Sequence, residues 1–140
     1  MTWYKPEWPL KTRMTTLIKS DGALSALLND NEVYNTVVAT DGEPRSKPHV
    51  AWAATNDTKA HFFGKKGEQT DIQLHIIANN DAEAASIYNE LVRLFDGVKI
   101  TGVADHTVVQ GDFSLITSFP EEDRSGIRRI CGYTVRTVRA

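Results

Sequence analysis

The sequence is poor in cysteine: Cys131 is the one thiol among 140 residues. No intramolecular disulfide can form, which excludes a disulfide-stapled scaffold. Long apolar runs are also missing. The longest are a few residues, against about 20 needed to cross a bilayer as a helix. The opening stretch, MTWYKPEWPLKTR, lacks the apolar core of a secretory signal. These absences predict a chain made in the cytosol with no membrane association. Neither sign of charge dominates, since 16 basic and 18 acidic side chains leave a net charge of −2. That balance gives no support to a chain built wholly around nucleic acid or an anionic membrane.

Recognisable chemistry is scarce too. His49, His61, His75 and His106 stand at no metal-ligand spacing such as HExxH. His75 reads as a surface histidine on the polar face of a strand. Cys131 reads as a buried structural thiol, because no neighbour in sequence offers it a base. Glu121, Glu122 and Asp123 read as a charged turn. Gly64-Lys65-Lys66-Gly67 lacks the GK[ST] ending and following helix of a phosphate loop. No catalytic residue, cofactor or metal is therefore expected. An enzymatic alternative would need a pocket under the Trp52 and Tyr88 region.

The length suits one domain with its own core. Residues 1–9 form a separate segment holding Trp3, Tyr4 and Trp8, with Pro6 and Pro9 between and after them. The prolines predict an extended arm. Its rings either fold back on the core or dock on a neighbouring subunit. From residue 10 to 140 the pattern is that of a single domain. Leu10, Met14, Leu17 and Ile18 give a first helix, and Asp21 caps a second over Ala23 to Leu28. Val33 to Val38 and His49 to Ala53 read as strands. Thr55 to Gln69 is polar apart from Phe62 and Phe63, and reads as a hairpin connection or long loop. Thr70 to Ala78 alternates as a strand, with Ile72, Leu74 and Ile76 on one face. Asn80 or Asp81 caps a main helix ending at Phe95, and Gly97 stops it. Val98 to Ile100 looks β-like. Residues 106–119 and 127–138 read as an antiparallel pair joined by PEEDRSG. The expected class is α+β: one twisted, mostly antiparallel sheet packed against helices, with a long C-terminal β-hairpin.

Charge is segregated along the chain. Residues 1–123 hold all 18 acids and 11 basic residues, a net −7. The last 17 hold Arg124, Arg128, Arg129, Arg136 and Arg139 with no acid. Three readings stay open for this basic end. It is a charge-protected edge strand, a basic surface for an acidic patch on another copy or partner, or a contact for duplex DNA.

From about Leu10 onward the chain resembles the tail-completion, or tail-terminator, proteins of long-tailed (siphovirus-like) bacteriophages. The resemblance is carried by an N-terminal helix leading to DGALSALLND, then NEVYNTVV, then KPHVAWAA. TDIQLHIIANN, DAEAASIYNELVRLFDG and the long C-terminal hairpin complete it. It implies a structural virion protein of the tail or neck, assembled in the host cytoplasm. Such proteins form a homo-oligomeric, hexameric ring that caps the tail tube and joins tail to head. The implied partners are further copies of the chain, the tail tube protein and a head-side stopper or connector, with DNA passing through the lumen without specific binding. Another neck protein, such as a stopper or head-completion subunit, is the nearest alternative; a small nucleic-acid-binding domain is more distant. No catalytic residue is transferred. The expected interface residues are Trp3, Tyr4, Trp8, Phe62, Phe63, Arg124, Arg128, Arg136 and Arg139.

Overall fold

The computed structural model describes residues 6–28, 33–34, 47–62, 65–121 and 126–139. Helix α1 (Glu7–Ser20) buries Pro9, Leu10, Met14 and Ile18 along one side. It starts earlier than the arm reading allows, because Trp8 and Pro9 are already helical. Pro9 is tolerated there because the first N–H groups of a helix have no partner inside it. The Leu10 amide, bonded to the Pro6 carbonyl at 2.9 Å, makes the opening bond. Helix α2 (Gly22–Leu27) follows, and the Asp21 carboxylate caps it by accepting from the Leu24 amide at 3.0 Å.

Strand β1 (Val33–Tyr34) is short; the rest of the expected Val33 to Val38 strand lies outside the described residues. Strands β2 (His49–Phe62) and β3 (Lys65–Ala78) are 14 residues each. The polar stretch after Thr55 is therefore not a loop but the paired body of a long hairpin, with Asp57 opposite Thr70 and Phe62 opposite Lys65. The ladder of backbone hydrogen bonds needs no apolar side chains where a face is uncovered.

Helix α3 (Asp81–Phe95) is amphipathic and buries Ala84, Ile87, Leu91 and Phe95. Ile87, Leu91 and Phe95 are fully buried, each contributing about 1.5–3 kcal/mol. Asn80 caps α3 through the Glu83 amide at 2.9 Å, and the Glu83 carboxylate reaches back to the Asn79 amide at 2.9 Å. Gly97, at φ 70°, ends the turn where a side chain would be strained. Val98 to Ile100 joins no strand, contrary to its β-like composition.

Strands β4 (His106–Pro120) and β5 (Ile127–Arg139) form the expected antiparallel pair. The sheet order is β1-β2-β3-β5-β4. All neighbours are antiparallel except β1 and β2. This is the expected α+β fold. One correction follows from the order. The arginine-bearing strand β5 is internal, between β3 and β4, so it is not a protected edge; β4 and the short β1 are the edges.

The helices cover one face of the sheet. Trp52, Ile72, Leu74, Ile76, Cys131, Tyr133 and Val135 meet Leu10, Met14, Ile18, Ile87, Leu91 and Phe95 in one continuous core. Phe95, Phe113 and Tyr133 form a ring cluster with centroids 5.4–6.0 Å apart. Gly111 lies opposite Val135, and a Cβ there would stand 2.6 Å from the Tyr133 hydroxyl oxygen.

Candidate assembly surface

Strand β4 changes character along its length. His106, Val108, Gly111 and Phe113 are buried, whereas every residue from Ser114 to Pro120 is exposed. Helix α3 and its C-terminal turn guard the first part of the outer edge. The Gly97 amide donates to the Gly111 carbonyl at 2.9 Å. The Asp96 carboxylate accepts from the Phe113 amide at 3.0 Å. The Tyr88 hydroxyl accepts from the Leu115 amide at 3.1 Å. Beyond Leu115, among the described residues, no helix or loop group is hydrogen-bonded to this edge as far as Pro120.

Three large apolar side chains stand at the last of these bonds and beyond it: Leu115 (40% exposed), Ile116 (55%) and Phe119 (40%). A register shift between Leu115 and Thr117 makes Ile116 the extra residue of a bulge. It turns Ile116 onto the open sheet face, where its Cδ1 lies 3.1 Å from the position of a Cβ on Gly132. Ile116 and Gly132 border a shallow concavity of about 350 Å³, shared with Asn56, Gln73, Ser114 and Thr134. The sequence carried a sign of this strip. Strict alternation along β4 breaks at the adjacent apolar pair Leu115-Ile116, as a bulge requires.

Of the residues expected at the interface, the described ones are spread over α1, β2 and β5. Trp3, Tyr4, Phe63 and Arg124 lie outside the described residues. Phe62 ends β2 at the hairpin, paired with Lys65. Trp8 is 52% exposed on α1, with the Lys11 ammonium 5.7 Å from its ring centroid. Arg128 forms an ion pair with Glu121 at 3.1 Å in the same chain. Arg136 donates to Gln69 at 3.3 Å and to Gln110 at 3.1 Å, across the sheet. Arg139 ends β5 opposite His106. Arg128 and Arg136 stand eight residues apart on one strand, roughly 26 Å. Arg129, not expected at the interface, pairs with Asp81 at 3.3 Å and lies 5.7 Å from the Tyr88 ring centroid.

Chemistry elsewhere is spare. Among the described residues, no group of three or more His, Cys, Asp and Glu side chains could hold a metal ion. Cys131 is fully buried, and burial pushes its thiol up to about 12. His75 is 8% exposed, so the surface reading is corrected. Burial, then the nearby Arg128 charge, holds its pKa below the ordinary 6.5. Trp52 is buried in the core, its indole N–H donating to Thr15 Oγ1 at 3.4 Å. Tyr88 packs on Phe113 at 6.0 Å. Both side chains proposed to roof an enzymatic pocket are thus engaged in packing. No described helix is long and apolar enough to cross a membrane.

The fold is similar to that of a chain in the virion of a native gene transfer agent particle. The two are 17% identical with a TM-score of 0.80, over 97% of this chain and 99% of that one. At this identity the likeness speaks for the fold alone. No curated protein matches the sequence. The family described as Tail completion protein gp17 matches residues 12–137. That match spans nearly the whole helix-covered sheet, including the β4–β5 hairpin and its unguarded edge, and the chain belongs to this tail-completion family of structural proteins in the phage virion tail.

Proposed function

We propose that this protein caps the phage tail tube as a hexameric ring and joins the tail to a head-side stopper or connector. One observation carries the reading: the apolar, unguarded half of the β4 edge at Leu115, Ile116 and Phe119. An edge strand offers unpaired backbone groups, and natural proteins normally blunt such edges with charge, proline, a bulge or a covering element. Strand β4 carries a bulge at Ile116 and ends in Pro120, yet keeps three large apolar side chains exposed. Here α3 covers the edge up to Leu115 and apolar side chains follow. That is the composition of an interface core, not of a solvated rim. A ring built from head-to-tail contacts presents two different faces of each subunit to its neighbours. The β4 edge supplies one of them. The family, structural in the virion tail, supplies the setting. DNA passes through the lumen without being gripped, which agrees with arginines bonded within their own sheet.

The test is the assembly state of the double variant Ile116→Glu/Phe119→Glu. Both side chains are exposed, so the fold should persist and the circular dichroism should match wild type. The ring is expected to dissociate to subunits on a sizing column. Retention of the wild-type elution volume would place the seam elsewhere.

A further inference from the structure

We propose that His75, Arg128 and Glu121 form an acid-sensitive latch that fastens the closed end of the β4–β5 hairpin to β3. The Arg128 guanidinium lies between the two partners. Its Nε and Nη2 donate to Glu121 Oε1 at 3.2 and 3.1 Å, and its Nη1 lies 3.1 Å from His75 Nδ1. A guanidinium has no acceptor, so His75 Nδ1 must be unprotonated and the ring neutral, with its proton on Nε2. Nε2 is buried and has no hydrogen-bond partner among the described residues. The latch holds the hairpin where it closes. The Glu121 amide donates to the Gly126 carbonyl at 2.9 Å, and Gly126 packs directly on the Ala78 carbonyl at the end of β3.

Protonation of His75 removes the acceptor and sets a second cation against Arg128. Among the described residues a single carboxylate, Glu121, then faces both. Among the described residues the imidazolium gains no new acceptor at Nε2, so the locked arrangement disfavours the proton. The direction agrees: burial first, and Arg128 second, hold the His75 pKa below its ordinary 6.5. The latch is therefore fully formed above that ordinary value. It weakens as pH falls from 6.5 toward the lowered pKa, because the opened state binds the proton more readily.

The other charged groups on this side are few among the described residues. From β2, His49 lies opposite Ile77 on the same sheet face, buried and with an interaction of its own. Lys47 precedes β2, its Nζ 3.5 Å from the position of a Gly126 Cβ. From β5 comes Arg128, and from the end of β4 comes Glu121. Helix α3 packs on the opposite face. Phe119 stands directly opposite Arg128, so release of the latch is felt at the exposed end of β4. The latch acts within one chain and holds whether or not the ring reading does.

The test is hydrogen exchange of the Glu121 amide in the full chain, corrected for intrinsic rate, with the histidine ring resonances followed from about pH 7.5 to about pH 4.5. His75 is expected to titrate below 6.5. Glu121 protection is expected to fall by up to about tenfold per pH unit beneath that value and then to level off. In His75→Gln the amide should hold a constant protection over the same interval. Constant protection in wild type would overturn the proposal. So would a loss confined to about pH 4, roughly the ordinary carboxylate range, or the same profile in His75→Gln. Should His75→Gln fail to fold, Glu121→Gln separates the two triggers. Its loss of protection must persist between pH 5 and 6.5, roughly the histidine range, and a flat profile there would assign the effect to Glu121.

Discussion

Tyr133 is closely packed on every side that the aromatic cluster and Gly111 present. Its ring lies in the aromatic cluster and is 1% exposed, while its hydroxyl is buried without a hydrogen-bond partner among the described residues. Burial first, then Asp112 and Asp96, raise its pKa above the ordinary range, so the neutral phenol persists. A buried unpartnered hydroxyl costs about 1–3 kcal/mol, so Tyr133→Phe is expected to raise the unfolding free energy by about 1 kcal/mol. Gly111→Ala should lower it by about 1–3 kcal/mol, because the new methyl meets that hydroxyl. The double variant should recover part of the loss, a coupling that denaturant melts can measure. Cys131 should resist alkylation in the folded protein and react once denaturant exposes it, since its thiol is pushed up to about 12. The burial of Cys131 was legible in its apolar strand neighbours. That of His75 was not. Alternation placed it on the face away from the helices, and sequence alone gives no sign that this face is covered near Ile77, 3% exposed, and His49, 5% exposed.

At the scale of elements, local chemistry was legible where one residue acts on its near neighbours. Asp21 caps α2, and its carboxylate also accepts from Arg93 at 2.8 Å, which ties α2 to α3. The Arg93 hydrogen bond is the main cause holding the Asp21 pKa below 3.8, with the Leu24 amide adding to it. The carboxylate is the favoured form when folded, so this contribution is present above 3.8 and is lost as pH falls through the lowered value. Asp21→Ala is expected to cost about 1 kcal/mol at neutral pH, with the deficit shrinking in acid. A thermal melt series across pH checks both parts. The C-terminal hairpin and α3 were legible from their period and caps. The polar half of the β2–β3 hairpin was not, since its pairing rests on backbone bonds and leaves no apolar alternation. Which strand lay at the edge was also hidden, because strand order depends on contacts distant in sequence. Charge suggested β5, whereas the topology makes it internal and puts β4 at an edge beside it.

For the whole molecule, the separation of charge along the chain takes on a different meaning in three dimensions. The basic end is not a free patch. Arg128 and Arg129 pair with Glu121 and Asp81, acids from the earlier, net-negative part. Reversing Arg128 to Glu would thus break an internal ion pair, and a changed elution volume would not by itself report an intersubunit contact. Three of the large apolar side chains left exposed among the described residues, Leu115, Ile116 and Phe119, stand together on the edge of β4. The central claim is that this edge is a seam between copies. The most direct measurement is the mass distribution of the purified wild-type chain, with class averages of the particles by electron microscopy. The account predicts a six-fold ring for wild type and single subunits for Ile116→Glu/Phe119→Glu. A wild-type chain that remains single, or a double variant that still closes the ring, would contradict it.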